Sequence, residues 1–304
     1  MRFFVCNQVE NMHKAGFVNI VGNPNVGKST LMNALVGERI SIATFKAQTT
    51  RHRIMGILNT DEMQIVFSDT PGVLKPNYKL QESMLNFSES ALTDADILLY
   101  VTDVVEQPEK NSDFVEKVKA MNIPVFVLIN KIDLSNQQAL EQLVELWKET
   151  IPQAEIIPIS AQAKFNVDYL LKRIKELLPD SPPYFGKDQW TDKPARFFVT
   201  EIIREKILLY YDKEIPYAVE VVVEQFKEEA KMIHINAVIY VERDSQKGII
   251  IGKQGRALKK VASEARKELE RFFDKTIYLE TFVKVDKDWR SSDKELKNFG
   301  YQLD

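Results

Sequence analysis

The chain has 304 residues, 44% hydrophobic and 28% charged, with a formal net charge of −3. That length exceeds the usual single domain, so two domains of a globular protein are expected, and no apolar run is long enough to span a bilayer. The acidic balance excludes a generally basic nucleic-acid binder and confines any RNA affinity to a local patch, while the one cysteine, Cys6, excludes an internal disulfide and suits a reducing compartment.

Residues 1–12 read as an N-terminal extension, too polar and too short for a signal peptide. A first domain is expected over 13–180. Phe17 to Val21 is a short apolar run suited to a buried strand. It leads into Gly22-Asn23-Pro24-Asn25-Val26-Gly27-Lys28-Ser29, which fits G-x-x-x-x-G-K-[ST]. Ser29 to Val36, beginning Ser29-Thr30, has helical spacing and stops at Gly37, a C-cap. A glycine-rich turn at a helix N-terminus aims backbone N–H groups and the helix dipole at phosphate. Lys28 would reach the β- and γ-phosphates, and the Ser29 hydroxyl would ligate Mg²⁺.

Ser41 to Arg53 is polar with little periodicity, as expected of a segment ordered only by bound metal and phosphate. One of Thr49 and Thr50 should complete the metal shell, and Thr50 is favoured. Ile54 to Leu58 and Met63 to Phe67 read as hairpin strands before Asp69-Thr70-Pro71-Gly72. Asp69 would hold Mg²⁺ through water, and the Gly72 N–H would sense the γ-phosphate. Leu80 to Leu92 is an amphipathic helix, Asp96 to Thr102 a buried strand and Phe114 to Met121 a helix.

Ile123 to Ile129 reads as a buried parallel strand that ends at Asn130-Lys131-Ile132-Asp133. Open α/β sheets bind ligands at that end of their strands. The Asp133 carboxylate would accept two hydrogen bonds from guanine N1–H and its exocyclic amine. Adenine has no such donor pair and would leave a desolvated charge unpaired. Asn130 and Lys131 would brace the loops, with the lysine stem along the base. Leu140 to Thr150 is a helix, and after strand Glu155 to Ile159, Ser160-Ala161 would offer a backbone N–H to guanine O6. Val167 to Leu178 is the last helix. This alternation implies a mostly parallel sheet with helices on both faces.

Residues 181–194 carry three prolines and a glycine and read as an interdomain linker. A second domain follows over 195–290, with a tail at 291–304. Ala195 to Tyr210 is a helix, Tyr217 to Phe226 and Met232 to Arg243 are strands, Arg256 to Phe273 is a long helix and Thr276 to Val285 a strand. With Gly252-Lys253-Gln254-Gly255 between two helices, this order resembles an α+β KH domain of the prokaryotic type II. Its two glycines let backbone approach four nucleotides of a single strand while helix N–H groups face phosphates. Ile249, Ile250 and Ile251 would wall an apolar groove for unstacked bases. Lys253 and Arg256 flank the turn, and Lys260 lies along the polar face of the long helix.

These motifs in this order resemble the translation-factor-like class of P-loop GTPases, and within it the TrmE–Era–EngA-like family. The resemblance runs from about His13 to Trp289 and rests on Asn23 to Thr30, Ala47 to Arg53, Asp69 to Gly72 and the glycine turn at 252–255. It implies a Mg²⁺-dependent GTPase that slowly converts GTP and water to GDP and phosphate. It also implies binding to 16S rRNA near its 3′ end and assistance to assembly and maturation of the small (30S) ribosomal subunit. The alternative is a nucleotide-gated RNA-binding scaffold in which hydrolysis only resets binding. The resemblance further implies a natural start at Met12 and a cytoplasmic protein with peripheral association at the inner membrane. It implies no DNA partner and no required stable oligomer. Asn25 matches the position that ligates K⁺ in related GTPases. Val73 stands where Ras-like enzymes place a water-orienting glutamine, so that route is absent. Arg51 and Arg53 would be arginine fingers or part of a mobile loop.

Overall fold

The computed structural model describes residues 13–106 and 108–302. The expected N-terminal extension and the start at Met12 lie outside the described residues.

The first half alternates β1 (Lys14–Gly22), α1 (Lys28–Val36), β2 (Ile54–Asn59), β3 (Met63–Asp69), α2 (Lys79–Thr93), β4 (Ile97–Asp103), α3 (Ser112–Lys119), β5 (Val125–Asn130), α4 (Gln137–Thr150), β6 (Glu155–Pro158) and α5 (Val167–Leu177). The six strands form one sheet ordered β2-β3-β1-β4-β5-β6; only β2 runs antiparallel to its neighbour. β3, β4 and β5 are buried throughout, because helices cover both faces. Alternate residues serve opposite cores. Ile97, Leu99 and Val101 of β4 meet Leu31 and Leu35 of α1 and Leu170 and Ile174 of α5. Leu98 and Tyr100 meet Phe114, Val118, Leu143 and Trp147 of α3 and α4. The strands therefore end together at one rim, where the predicted motifs lie.

The second half contains α6 (Ala195–Tyr210), β7 (Glu220–Glu228), β8 (Met232–Val241), α7 (Asp244–Ile251), α8 (Arg256–Phe273) and β9 (Thr276–Val285). Its sheet is ordered β7-β8-β9, with β7 antiparallel and β9 parallel to β8. Val199, Ile203, Val261, Ala265 and Leu269 of α6 and α8 pack on one sheet face. β7 starts three residues later than periodicity suggests, at Glu220. The carbonyls of Pro216, Ala218 and Val219 are instead taken by Arg51 and Trp289 from outside the sheet.

Two segments depart from their sequence reading. Residues 181–194 connect the halves, but they lie along the free edge of β2. The Ile57 N–H donates to the Trp190 carbonyl, Thr191 Oγ1 to the Met55 carbonyl, and the Met55 N–H to Asp192 Oδ1. An edge strand has unpaired backbone groups, and here the proline-rich segment satisfies them. The C-terminal segment forms α9 (Asp293–Asn298), and Trp289, Leu296 and Tyr301 pack on Leu80, Met84 and Phe87 of α2. This tail of the second half thus rests on the first.

Candidate functional site

The turn between β1 and α1 encloses a cavity of about 290 Å³, whose wall includes Pro24, Asn25, Gly27, Lys28, Ser29, Thr30, Thr50, Thr70, Gly72 and Lys131. A larger cleft of about 1130 Å³, beside Trp190, Phe198 and Phe272, holds none of the motif residues. Gly27 has φ 94°, and a Cβ there would lie 2.3 Å from the Asn130 amide nitrogen; a Cβ on Gly72 would lie 2.6 Å from Pro24 backbone. Both loops are therefore drawn together by contacts that only glycine allows. Lys28 is buried, with Nζ donating to the carbonyls of Gly22 (3.0 Å) and Asn23 (2.7 Å). Burial lowers its pKa to about 8, against the opposing pull of Asp69 and Glu106.

Ser29, Thr50 and Asp69 converge. Ser29 Oγ donates to Asp69 Oδ2 at 2.7 Å and lies 2.8 Å from Thr50 Oγ1, which itself is 3.4 Å from Asp69 Oδ2. Asp69 is fully buried, its pKa is raised chiefly by desolvation, and its Oδ1 has no hydrogen-bond partner. A buried carboxylate oxygen without a partner, beside two hydroxyls, is a donor set that fits Mg²⁺, a hard cation with oxygen ligands. Thr49 faces elsewhere: its Oγ1 donates to the Lys46 carbonyl at 2.6 Å and lies 2.6 Å from Thr44 Oγ1. Thr70 Oγ1 donates to the Ile20 carbonyl and the Pro71 carbonyl accepts from Ser88, so these two side-by-side residues fix the loop.

The base end is braced from within. Asn130 Nδ2 donates to the Val26 carbonyl (2.8 Å) and its Oδ1 accepts from the Ala161 N–H (2.9 Å). The guanine O6 contact expected of Ala161 would share that hydrogen. Lys131 Nζ donates to the Asn25 carbonyl (2.6 Å) and to Asp103 (2.7 Å), and Ser160 Oγ donates to Asp133 Oδ1 (2.6 Å). Val26 is buried and Asn25 exposed, with Asn25 at φ 66°. Sequence reasoning missed Asp103, Glu106 and Asn111. The last two hold the Asn23 amide, and Asn111 also donates to the Val73 carbonyl. For Asp103 and Glu106, the position at and shortly after the end of β4 was the one available signal.

The segment over 39–53 corrects two expectations. It is held by side chains from the second half of the chain. Arg204 of α6 donates to the carbonyls of Gln48 and Thr49, Lys46 to Tyr211 and Asp212, and Arg39 pairs with Glu205 and Glu268. Arg51 is neither a finger nor in a mobile loop. It is fully buried and donates to the carbonyls of Val219 (2.7 Å) and Pro216 (3.1 Å) and to Glu220 (3.1 Å). Arg53 likewise is spent on Ser68 and Asp94. His52 stacks on Tyr301 at 4.3 Å, and burial, reinforced by Arg204, lowers its pKa to about 3.

At the far end, Gly252 (φ 69°), Gln254 (φ 53°) and Gly255 (φ 74°) make the turn between α7 and α8. Ile249 is half exposed and Ile251 half-buried, but Ile250 is fully buried. Ile250 therefore belongs to the core and not to a groove wall, because α7 turns that face onto the sheet. Lys253, Gln254 and Arg256 are exposed, with Arg256 donating to Gln254; Lys260 Nζ sits 4.1 Å over the Tyr210 ring. Tyr210, at the end of α6, is exposed and carries that cation, a pairing that sequence reasoning missed because the two residues lie on different helices.

Residues 17–131 match the family described as 50S ribosome-binding GTPase, and residues 214–290 the KH domain family. The chain is 44% identical over 293 residues to GTPase Era of Clostridium kluyveri, covering 96% of this chain and all of that one. It is 43% identical over 291 residues to GTPase Era of Staphylococcus haemolyticus, covering 95% and 97%. It is similar to a solved structure of Era in complex with MgGDPNP and nucleotides 1506–1542 of 16S ribosomal RNA, with TM-score 0.91, 40% identity and coverage of 96% and 100%. It is equally similar (TM-score 0.91, 40% identity, coverage of 95% and 100%) to a substituted Era of Aquifex aeolicus bound to GDP and AlF4⁻.

Proposed function

We propose a function on one premise: the chain belongs to the Era family of GTPases. It binds and slowly hydrolyses GTP, and through its KH domain it binds 16S rRNA near the 3′ end and assists maturation of the small ribosomal subunit. One observation carries this reading: four separated motifs, at 22–30, 49–50, 69–72 and 130–133, contribute residues to a single cavity, in a chain similar to a solved Era complex that holds both MgGDPNP and 16S rRNA.

The residues divide the work. The 22–30 turn and Lys28 bind the β- and γ-phosphates, and Gly72 stands where the γ-phosphate is sensed. Asp133, steadied by Ser160, selects guanine, and Asn130 and Lys131 tie the base loops to the phosphate loop. Ser29, Thr50 and Asp69 would hold a Mg²⁺, which would supply positive charge against the negative charge that develops on the phosphates. Val73 is buried in the core and offers no amide to water, which favours slow turnover. At the KH turn, Ile249, Ile251, Lys253, Gln254, Arg256 and Lys260 would hold single-stranded RNA. The division into a GTPase unit over 13–180, a connector over 181–194 and a KH unit over 195–290 belongs to the same proposal, as does K⁺ at Asn25. Peripheral association with the cytoplasmic face of the inner membrane would be a surface contact, since no helix among the described residues is long and apolar enough to cross a membrane.

The test is crosslinking and sequencing of RNA bound in the presence of a non-hydrolysable GTP analogue or of GDP. Enrichment of one 16S 3′ segment with the analogue alone is expected; identical RNA with both nucleotides would refute the switch. The second reading, a scaffold merely reset by hydrolysis, is favoured by the extensive clamp between the halves. It predicts that a variant that binds but does not hydrolyse GTP still supports subunit maturation.

A further inference from the structure

The residue after Asp69-Thr70-Pro71-Gly72 does not provide the water-orienting group. Val73 lies in the apolar core with Ala91, Leu98 and Phe114, and its N–H donates to the Gly22 carbonyl. Another side chain must therefore orient the attacking water if this pocket catalyses hydrolysis by positioning. Among the described residues lining the cavity, only Asn25 and Gln48 carry a side-chain amide. Asn25 is on the phosphate loop itself. Gln48 is on the 39–53 segment, as Thr50 is, and lines the same cavity as Lys28 and Gly72.

Three features fix Gln48. Its φ of 57° is a left-handed conformation that a non-glycine residue adopts where surrounding contacts enforce it. Its carbonyl accepts from Arg204, which separates the backbone's role from the side chain's. Its Oε1 accepts from the Tyr78 hydroxyl at 3.1 Å, and the Tyr78 ring lies 4.8 Å beneath the Arg290 guanidinium. An amide oxygen has two lone pairs and the amide nitrogen two hydrogens. With one lone pair given to Tyr78, the second remains for a water hydrogen, and the NH₂ remains for a γ-phosphate oxygen.

We propose that Gln48, carried by the 39–53 segment and oriented by Tyr78, positions the water that attacks GTP. The water oxygen forms a bond to the γ-phosphorus as the bond from that phosphorus to the β–γ bridging oxygen breaks. The electron pair stays with the β-phosphate of GDP, and the water proton leaves on inorganic phosphate. Gln48 neither gains nor loses a proton; it holds the water in line.

The test compares wild type, Gln48→Ala and Tyr78→Phe in the full chain, measuring kcat for GTP hydrolysis, Kd for a fluorescent non-hydrolysable GTP analogue, and capture of GDP with AlF4⁻. The expected result for Gln48→Ala is a fall in kcat of about 10–100-fold and loss of AlF4⁻ capture, with analogue affinity within about threefold of wild type. Tyr78→Phe should fall between the two. A Gln48→Ala protein that hydrolyses GTP at the wild-type rate would overturn the proposal. So would a kcat loss matched by an equal loss of analogue affinity, which is the mark of a residue that only shapes the segment.

Discussion

The phosphate loop and the 39–53 segment face each other across one cavity, and they are built in opposite ways. The loop is held within its own half of the chain: Lys28 bonds to carbonyls five and six residues back, and Asn130 locks Val26 from the end of β5, two strands away. The segment has no regular structure, and it owes its shape to Arg204, Glu220, Tyr211 and Glu205 from the other half of the chain. Binding of phosphate is thus preorganised, whereas the wall opposite is conditional on where the KH unit sits. A ligand that prefers one arrangement of that wall shifts the placement of the KH unit by its differential affinity, and RNA must act back on nucleotide binding equally.

The sharpest way to break this contrast is Arg51→Ala. It leaves the Glu220 carboxylate buried with only Tyr301 as donor, so the clamp should weaken by about 3–5 kcal/mol. Chemical denaturation should lose cooperativity between the halves while the first half still binds nucleotide; an unchanged single transition would show the clamp is not what orders the segment. Lys28→Ala attacks the other region. Titration with a fluorescent GTP analogue should show affinity reduced about 100-fold, and RNA binding by the KH unit should no longer respond to the analogue at concentrations that saturate wild type.

His52 lies at the join and gives the contrast a pH dependence. Its folded pKa of about 3 is below the unfolded value of about 6.5, so below pH 6.5 the unfolded chain binds more protons than the folded one. Stability contributed by neutral His52 is therefore complete above pH 6.5. It falls by up to about 1.4 kcal/mol per unit as pH drops toward 3. Denaturation at pH 5 should show a loss of about 2 kcal/mol from this residue that His52→Phe removes. The smallest effect is expected from Lys260→Gln. Its ammonium already rests on Tyr210, so RNA affinity should fall only about two- to threefold, with the salt slope reduced by about one.

How much was legible in the sequence follows the same division. The glycine turn, Asp69 and Asn130 to Asp133 could be read because each is a short motif at a strand end whose chemistry is local. The Thr50 hydroxyl lies beside Ser29, whereas that of Thr49 is turned to Thr44. Arg51 could not be read, because its partner Glu220 is 169 residues away and no periodicity links them. The 181–194 segment announced a break in regular structure, but its pairing depends on β2 being an edge, which only the assembled sheet reveals. Ile250 was misread because three consecutive isoleucines look alike until the helix decides which face is inward.

The strap along β2 has a mechanical consequence. Because it is pinned as far as Asp192 and α6 begins at Ala195, only Lys193 and Pro194 are left as free tether between the two units. Two extended residues reach about 7 Å, and proline stiffens one of them. A KH unit released from its clamp could therefore pivot but not wander. Its effective concentration at the clamp would stay high, so re-docking should be fast and the released state short-lived unless RNA holds it.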